Sequence, residues 1–233
     1  MLKLDNRLQM LYNMVRPKSK IVDVGTDHGY LISKLILDNK CTYGKCVDIN
    51  EKCLKKAQKL AKEYGITDNI KFSNSDGLQD VLPEEADDIV IAGMGSELII
   101  NIIKNCNWLK KNNGKYLILQ PMKKPWLLRE YLYNNGFTII NENLTYSKKF
   151  FYVAIGAKFC ANNKKISDVD KIIGLLLKKP NEYTQEYISY ISNKINCIAE
   201  KILVHEKDEK KYNYYQNLCC KLNNIIAQNI KNI

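Results

Sequence analysis

The sequence predicts an α/β protein, a mainly parallel sheet with helices on both faces, followed by a helical appendage. Three observations carry this. Strand-like and helix-like segments alternate from about residue 20 to 158, glycine turns twice join an apolar strand directly to a helix, and beyond Ser167 only helical periodicity remains. The 233 residues, 45% of them hydrophobic, suffice for one main core and a smaller second one, placed at 1–160 and 161–233.

The segment Met1-Leu-Lys-Leu-Asp-Asn-Arg-Leu-Gln-Met-Leu11 reads as an amphipathic helix and lacks the charged-then-apolar order of a secretory leader. Next come a strand near 20–24, a helix near 29–38, a strand near 43–48 and a helix near 51–64 that Gly65 ends. A strand near 69–73 leads into Ser73-Asn-Ser-Asp-Gly77, and Asp88-Ile-Val-Ile-Ala-Gly-Met-Gly-Ser96 repeats the strand-to-turn device before a helix near 96–107. The fifth strand, Lys115 to Pro121, leaves the sheet at its proline; a helix near 124–135 ends at Gly136, and strands near 137–145 and 150–158 form an antiparallel pair. In the appendage, Ile188, Ile191, Ile195, Ile198 and Ile202 form one apolar seam and Tyr215, Leu218, Leu222 and Ile225 another, so a helical hairpin bends near His205 to Asp208.

The chemistry concentrates in Ile21-Val-Asp-Val-Gly-Thr-Asp-His-Gly-Tyr-Leu31. Gly25 and Gly29 let backbone approach a ligand, and the helix start directs N–H groups at it. Asp48, about 20 residues later at the end of the next strand, is placed to accept from ribose hydroxyls. The loop Gly25-Thr26-Asp27-His28-Gly29 is not the G-x-G-x-x-G of a dinucleotide site. Asp27 would repel a pyrophosphate but suits a cationic ligand such as the ammonium and sulfonium of S-adenosylmethionine. A dehydrogenase is disfavoured on these grounds.

No apolar run is long enough to span a bilayer, so no membrane association is expected. The eight cysteines show no C-x-x-C spacing and read as reduced thiols of a cytoplasmic protein, with no metal site. A net charge of +11 points to a polyanion such as nucleic acid.

Asp23-Val-Gly-Thr-Asp-His-Gly-Tyr-Leu31, followed in order by Asp48-Ile-Asn50, Ser75-Asp-Gly-Leu78, Ile91-Ala-Gly-Met-Gly95 and Leu119-Gln-Pro121, resembles the bacterial TrmK family of tRNA adenine-N1 methyltransferases. The resemblance runs over roughly residues 1–160, and the hairpin agrees with that family's C-terminal coiled coil. It implies a class I methyltransferase (Rossmann-like) seven-stranded sheet with a C-terminal coiled-coil hairpin, S-adenosylmethionine as donor, and methylation of adenine 22 in tRNA. By the same resemblance, Asp23, Gly25, Thr26, Asp27 and Gly29 hold the methionine half of the donor, Asp48 and Ile49 the ribose, and Asp76 with Gly77 the adenine edge. Gly93, Met94, Gly95, Gln120 and Pro121 form the rim where the target base meets the methyl group. Ser96, Met122 and Phe151-Tyr152 depart from the family pattern.

N1 of adenine carries an in-plane lone pair, so the transfer needs no base to remove a proton, and positioning with exclusion of water can supply the rate. N1 lies on the Watson–Crick edge, so a paired target must be flipped out. Aromatic and basic candidates for the rim are Tyr30, Lys123, Lys124, Trp126, Lys148 and Lys149; Asp27 and His28 are the candidate catalytic side chains. Lysines beside tyrosines 183, 187, 190, 212, 214 and 215 make the hairpin a candidate tRNA-binding arm of an enzyme expected to be monomeric. The alternatives are a methyltransferase acting on another RNA site, a protein or a small molecule, and an inactive RNA-binding homologue.

Overall fold

Apolar runs rich in valine and isoleucine become the strands of one seven-stranded sheet, ordered β3-β2-β1-β4-β5-β7-β6. The computed structural model describes residues 2–111, 114–162 and 165–230. The strands are β1 (Lys20–Val24), β2 (Tyr43–Asp48), β3 (Ile70–Asn74), β4 (Asp88–Met94), β5 (Tyr116–Pro121), β6 (Phe137–Ser147) and β7 (Phe150–Phe159). The first five run parallel, and β7 inserts antiparallel between β5 and β6. Central strands are buried on both faces: Ile21, Val22, Ile89, Ile91, Leu117 and Ile118 are all almost wholly excluded from solvent.

Helices α1 (Asn6–Met14), α2 (Tyr30–Leu37), α3 (Glu51–Glu63), α4 (Ser96–Asn105) and α5 (Pro125–Asn134) flank this sheet. Helix α1 starts at residue 6 rather than at the first residue because Asp5 caps it, its carboxylate accepting the Leu8 N–H at 2.9 Å. Helix α4 stops at Asn105, and a separate 3₁₀ turn covers Asn107–Lys110. Each helix buries one stripe, as α3 does with Leu54, Ala57 and Ala61. The interior also holds an ion pair with no sequence signature, Arg129 Nε to Glu142 Oε1 at 2.8 Å, with both side chains fully buried.

Since β1 lies between β2 and β4, the chain's winding reverses there. A crevice opens beyond the C-terminal ends of β1 and β4, the usual ligand position in such sheets.

The chain divides into two compact units, Met1–Lys165 and Ile166–Ile233. The second contains α6 (Asp168–Ile173), a 3₁₀ turn at Leu176–Lys178, α7 (Thr184–Lys201), a π-helical turn at Ile202–Glu206 and α8 (Glu209–Ile230). The hairpin bend falls in the expected region, with Lys207 at φ 53° ending the π turn. Two corrections concern its seam. Ile198 is 38% exposed and Ala199 takes the buried place, because Ala199 stands four residues beyond Ile195 on the same face. Tyr187 is buried in this interior, so it is not an exposed stacking surface. Polar links set the register, with Ser192 Oγ donating to Asn223 Oδ1 at 2.9 Å and Gln216 Nε2 to Asn196 Oδ1 at 2.8 Å. The short helix α6, which the sequence reading did not separate, is capped by Ser167, whose hydroxyl accepts the Asp170 N–H at 3.1 Å. No helix among the described residues is long and apolar enough to cross a membrane.

Candidate active site at the sheet's switch point

Strand β1 ends at Val24, and Gly25 turns the chain with φ 79°. The Gly25 and Thr26 N–H groups both donate to the Val47 carbonyl, at 2.8 and 3.3 Å, fastening the turn to β2. A Cβ on Gly25 would overlap the Met94 methyl group, so glycine alone leaves the slot between β1 and β4 open. Gly29 also has a packing role: a Cβ there would come within 2.8 Å of the Ala57 Cβ, so its absence seats α2 on α3.

Thr26 is buried and donates its hydroxyl to Asp23 Oδ2 at 2.5 Å. Asp23 is only 8% exposed. Burial pushes its carboxyl up to about 6, against the lowering effects of the Thr26 hydrogen bond and the Arg7 charge, while nearby Asp48 pushes the same way as burial.

A cavity of about 240 Å³ opens here. It brings together eight residues singled out from sequence, the turn residues Asp23, Gly25, Thr26, Asp27, His28, Gly29 and Tyr30 and the rim candidate Lys148. Lys148 comes from the β6–β7 turn, and the remaining wall is Leu31, Ala92 of β4, and Asp5, Arg7, Leu8 and Leu11 from the N-terminal segment. Arg7, Asp5 and Leu8 were missed because the first helix reads only as a packing element; nothing in its spacing ties it to a turn after a distant strand. Arg7 Nη1 donates to the buried Gln120 Oε1 at 3.1 Å, and its guanidinium lies 5.9 Å from the Tyr152 ring centroid.

Asp27 lines the cavity, yet its side chain is 70% exposed and engages α3, with Lys56 Nζ at 3.7 Å and Cys53 Sγ at 3.6 Å. His28 Nε2 stands 3.4 Å from Asp27 Oδ2, and its ring stacks on Tyr30 at 5.3 Å between centroids. The buried acid of this cavity is therefore Asp23, not Asp27.

Asp48 ends β2 beside the turn and accepts the Asn50 N–H at 2.7 Å. Ile49 is 72% exposed. Asp76 lies outside the main cavity, lining a second one of about 140 Å³ with Leu78, Leu98 and Ile102, and Gly77 abuts Ile102. Gly93, Met94 and Gly95 follow one another off the end of β4. Pro121 pairs with Met94 as the last residue of β5, and the chain leaves the sheet there as expected. The Met122 N–H then donates to the Met94 carbonyl at 2.8 Å, tying these strand ends together.

Lys123 and Lys124 are exposed on the following loop. The Ser96 hydroxyl reaches both of their carbonyls, at 2.8 and 2.9 Å, which gives this departure from the family pattern a structural role. Met122 is half exposed with its sulfur 3.6 Å from Gln120 Nε2, and Phe151 packs against Tyr146 at 4.9 Å. Among the described residues no group of three or more His, Cys, Asp or Glu side chains could hold a metal ion.

The donor set fits S-adenosylmethionine: a glycine-held slot, a buried acid, and a second acid at the neighbouring strand end. Fold and site together define a class I, S-adenosylmethionine-dependent methyltransferase. Residues 4–155 match the family model described as a methyltransferase domain. The tRNA (adenine(22)-N(1))-methyltransferase of Bacillus subtilis (strain 168) is 32% identical over 141 residues, 60% of this chain and 59% of that protein. The crystal structure of the B. subtilis M1A22 tRNA methyltransferase TrmK superposes with a TM-score of 0.84 at 26% identity, covering 97% of this chain and 100% of that one. M. capricolum TrmK in complex with S-adenosylhomocysteine superposes at 0.79 with 28% identity, covering 96% and 98%. The chain belongs to the TrmK family.

Proposed function

We infer that this protein transfers the methyl group of S-adenosylmethionine to N1 of an adenine in tRNA, the adenine at position 22. The observation that carries this is the cavity at the switch point, where Asp23, Gly25 and Thr26 stand in the family's order at the end of β1. When bound, S-adenosylmethionine supplies an electrophilic methyl group. The chain's own residues orient the reactants. The Gly25 slot admits the donor, Asp23 faces its cationic methionine half, and Asp48 at the end of β2 accepts from the ribose.

The target adenine needs no base, because its N1 lone pair is already available, and this agrees with the exposed Asp27 and His28 acting in positioning rather than proton transfer. Tyr30, 40% exposed and stacked on His28, offers a platform for a flipped base, and Lys123 and Lys124 offer charge for phosphate. The second unit supports a reading as tRNA-binding arm, since Tyr190 and Tyr214 are 38% and 46% exposed among lysines. Such an enzyme works in the cytoplasm, where tRNA is processed.

The test is nucleoside mass spectrometry after incubation with unmodified tRNA and isotopically labelled S-adenosylmethionine. Labelled 1-methyladenosine at position 22 is expected, and its absence with active donor binding would move the methylation to another substrate.

A further inference from the structure

We propose that the β6–β7 hairpin is a finger that enters the tRNA beside the target adenine, with Phe150 filling the gap in the base stack that the flipped adenine leaves. The proposal rests on the methyltransferase reading above and concerns how the substrate is opened, not how the donor is held. Strand β7 pairs with β5 only as far as Ile155, opposite Leu119, whereas β6 and β7 go on pairing up to Ser147 and Phe150. From Ile155 to Phe150 the two-stranded ribbon thus runs five residues past its last pair with β5, about 16 Å. Since β7 is antiparallel to β5, the ribbon projects beyond the C-terminal end of β5, on the edge of the sheet where the crevice opens. Helix α1 braces it, with Asn6 Nδ2 donating to the Tyr146 carbonyl at 3.2 Å and Asp5 Oδ2 lying 3.4 Å from Lys148 Nζ.

The tip suits a nucleic acid. Lys148 and Lys149 form its two-residue turn at φ 49° and 68°, a geometry for which Asn-Gly is the ordinary choice. Lysines in that left-handed conformation cost local stability and place two positive charges at the point of the finger. Phe150 follows at 61% exposure, the most exposed Phe, Tyr or Trp side chain among the described residues. A bare ring next to two lysines combines base stacking with phosphate contact. Its position selects the gap over the flipped base. Lys148 lines the cavity, but among the described residues Phe150 does not, so a base inside the cavity leaves Phe150 outside, next to the place it left. Phe150 also shares a face of β7 with Tyr152, whose ring lies 5.9 Å from the Arg7 guanidinium of the cavity wall. Methylation at N1 requires the adenine to leave its stack, and an apolar wedge entering the gap recovers part of the lost stacking.

The test uses the full chain and tRNA carrying 2-aminopurine in place of adenine 22, whose emission rises when the base is unstacked. Phe150→Ala is expected to lose most of the rise seen with wild-type protein. On unmodified tRNA it should lower kcat/KM for methylation by about ten- to a hundredfold, the range of one lost aromatic–base stack. Its affinity for S-adenosylhomocysteine, by calorimetry, should stay within about twofold, and Phe150→Trp should keep both the emission rise and the rate. A chain with Lys148→Asn and Lys149→Gly, which has a preferred turn without the charge, should melt higher and yet bind tRNA more weakly in filter assays. An unchanged emission rise and rate in Phe150→Ala would overturn the proposal, as would tRNA binding by the double variant as tight as wild type. So would a larger rise in Phe150→Ala, which would mean that the ring stacks on the flipped base itself, or an equal loss of S-adenosylhomocysteine affinity, which would make its role structural. Wild-type protein that binds S-adenosylhomocysteine but does not methylate tRNA would instead refute the tRNA reading, and the finger's role with it.

Discussion

Ionised Asp23 costs the free protein stability, because burial holds its carboxyl up to about 6 from an ordinary 3.8. Below about pH 4 the group is protonated folded and unfolded, and the cost is absent. As pH rises towards 6 the unfolded chain releases the proton first, so stability falls, and above about 6 the full cost is present, on the order of 3 kcal/mol. A cationic ligand beside Asp23 reverses this preference. Affinity for S-adenosylhomocysteine should therefore drop as pH is lowered through about 6, by up to tenfold per unit, and Asp23→Asn should flatten that profile while raising the melting temperature of the free protein. A flat wild-type profile in titrations from pH 5 to 8 would mean that Asp23 does not face the ligand. Asp48→Ala should weaken S-adenosylhomocysteine by on the order of 1 to 3 kcal/mol with the fold intact, by calorimetry backed by a melting curve. Both acids were legible in the sequence because they end strands beside a glycine turn. That Asp23 rather than Asp27 is the buried one was not, since spacing along a turn does not say which side chain points into the crevice.

Among the elements, the link between α5 and β6 is the most exacting. Arg129 Nε and Nη2 meet the two Glu142 carboxylate oxygens at 2.8 and 3.2 Å, with both side chains inaccessible to solvent. Removing one partner leaves the other charge buried, at a cost of about 3 to 5 kcal/mol. Arg129→Met should lower stability by that amount in urea unfolding, and pairing it with Glu142→Leu should recover much of the loss. If the single variant loses under about 1 kcal/mol, the pair is not structurally important. Sequence patterning located both elements but not this pair, since a charge on an apolar stripe is recognisable only when its partner is known. The start of α1 shows the opposite case. Asp5 three residues before Leu8 is a local capping signal, and it fixes the helix more closely than the hydrophobic pattern did.

At the scale of the molecule, a net charge of +11 and a separate helical unit bear on how tRNA is held. If lysine–phosphate contacts carry the affinity, filter binding across a salt series should show log affinity falling steeply and linearly with log salt, and donor affinity hardly changing. A salt-independent tRNA affinity would make the charge a background feature of composition. A chain ending at Lys165 retains every residue of the donor cavity, and should stay folded and bind S-adenosylhomocysteine as the full chain does. It should lose most tRNA methylation through weaker tRNA binding. Full methylation by this truncation would show that the hairpin does not hold tRNA.

The local alternation of strands and helices, the two glycine turns and the strand-end acids were all present in the linear order of residues. Each rests on interactions between neighbours a few positions apart, namely backbone preference, capping and periodic burial. The folded chain added what depends on distant segments meeting. Helix α1 brought Arg7 against Gln120 and Gly93, the β6–β7 turn brought Lys148 to the cavity, Ser96 tied down the loop of Lys123 and Lys124, and Arg129 found Glu142. No short-range pattern encodes those pairings, because the free energy of each is realised only once the sheet order has placed its two partners side by side.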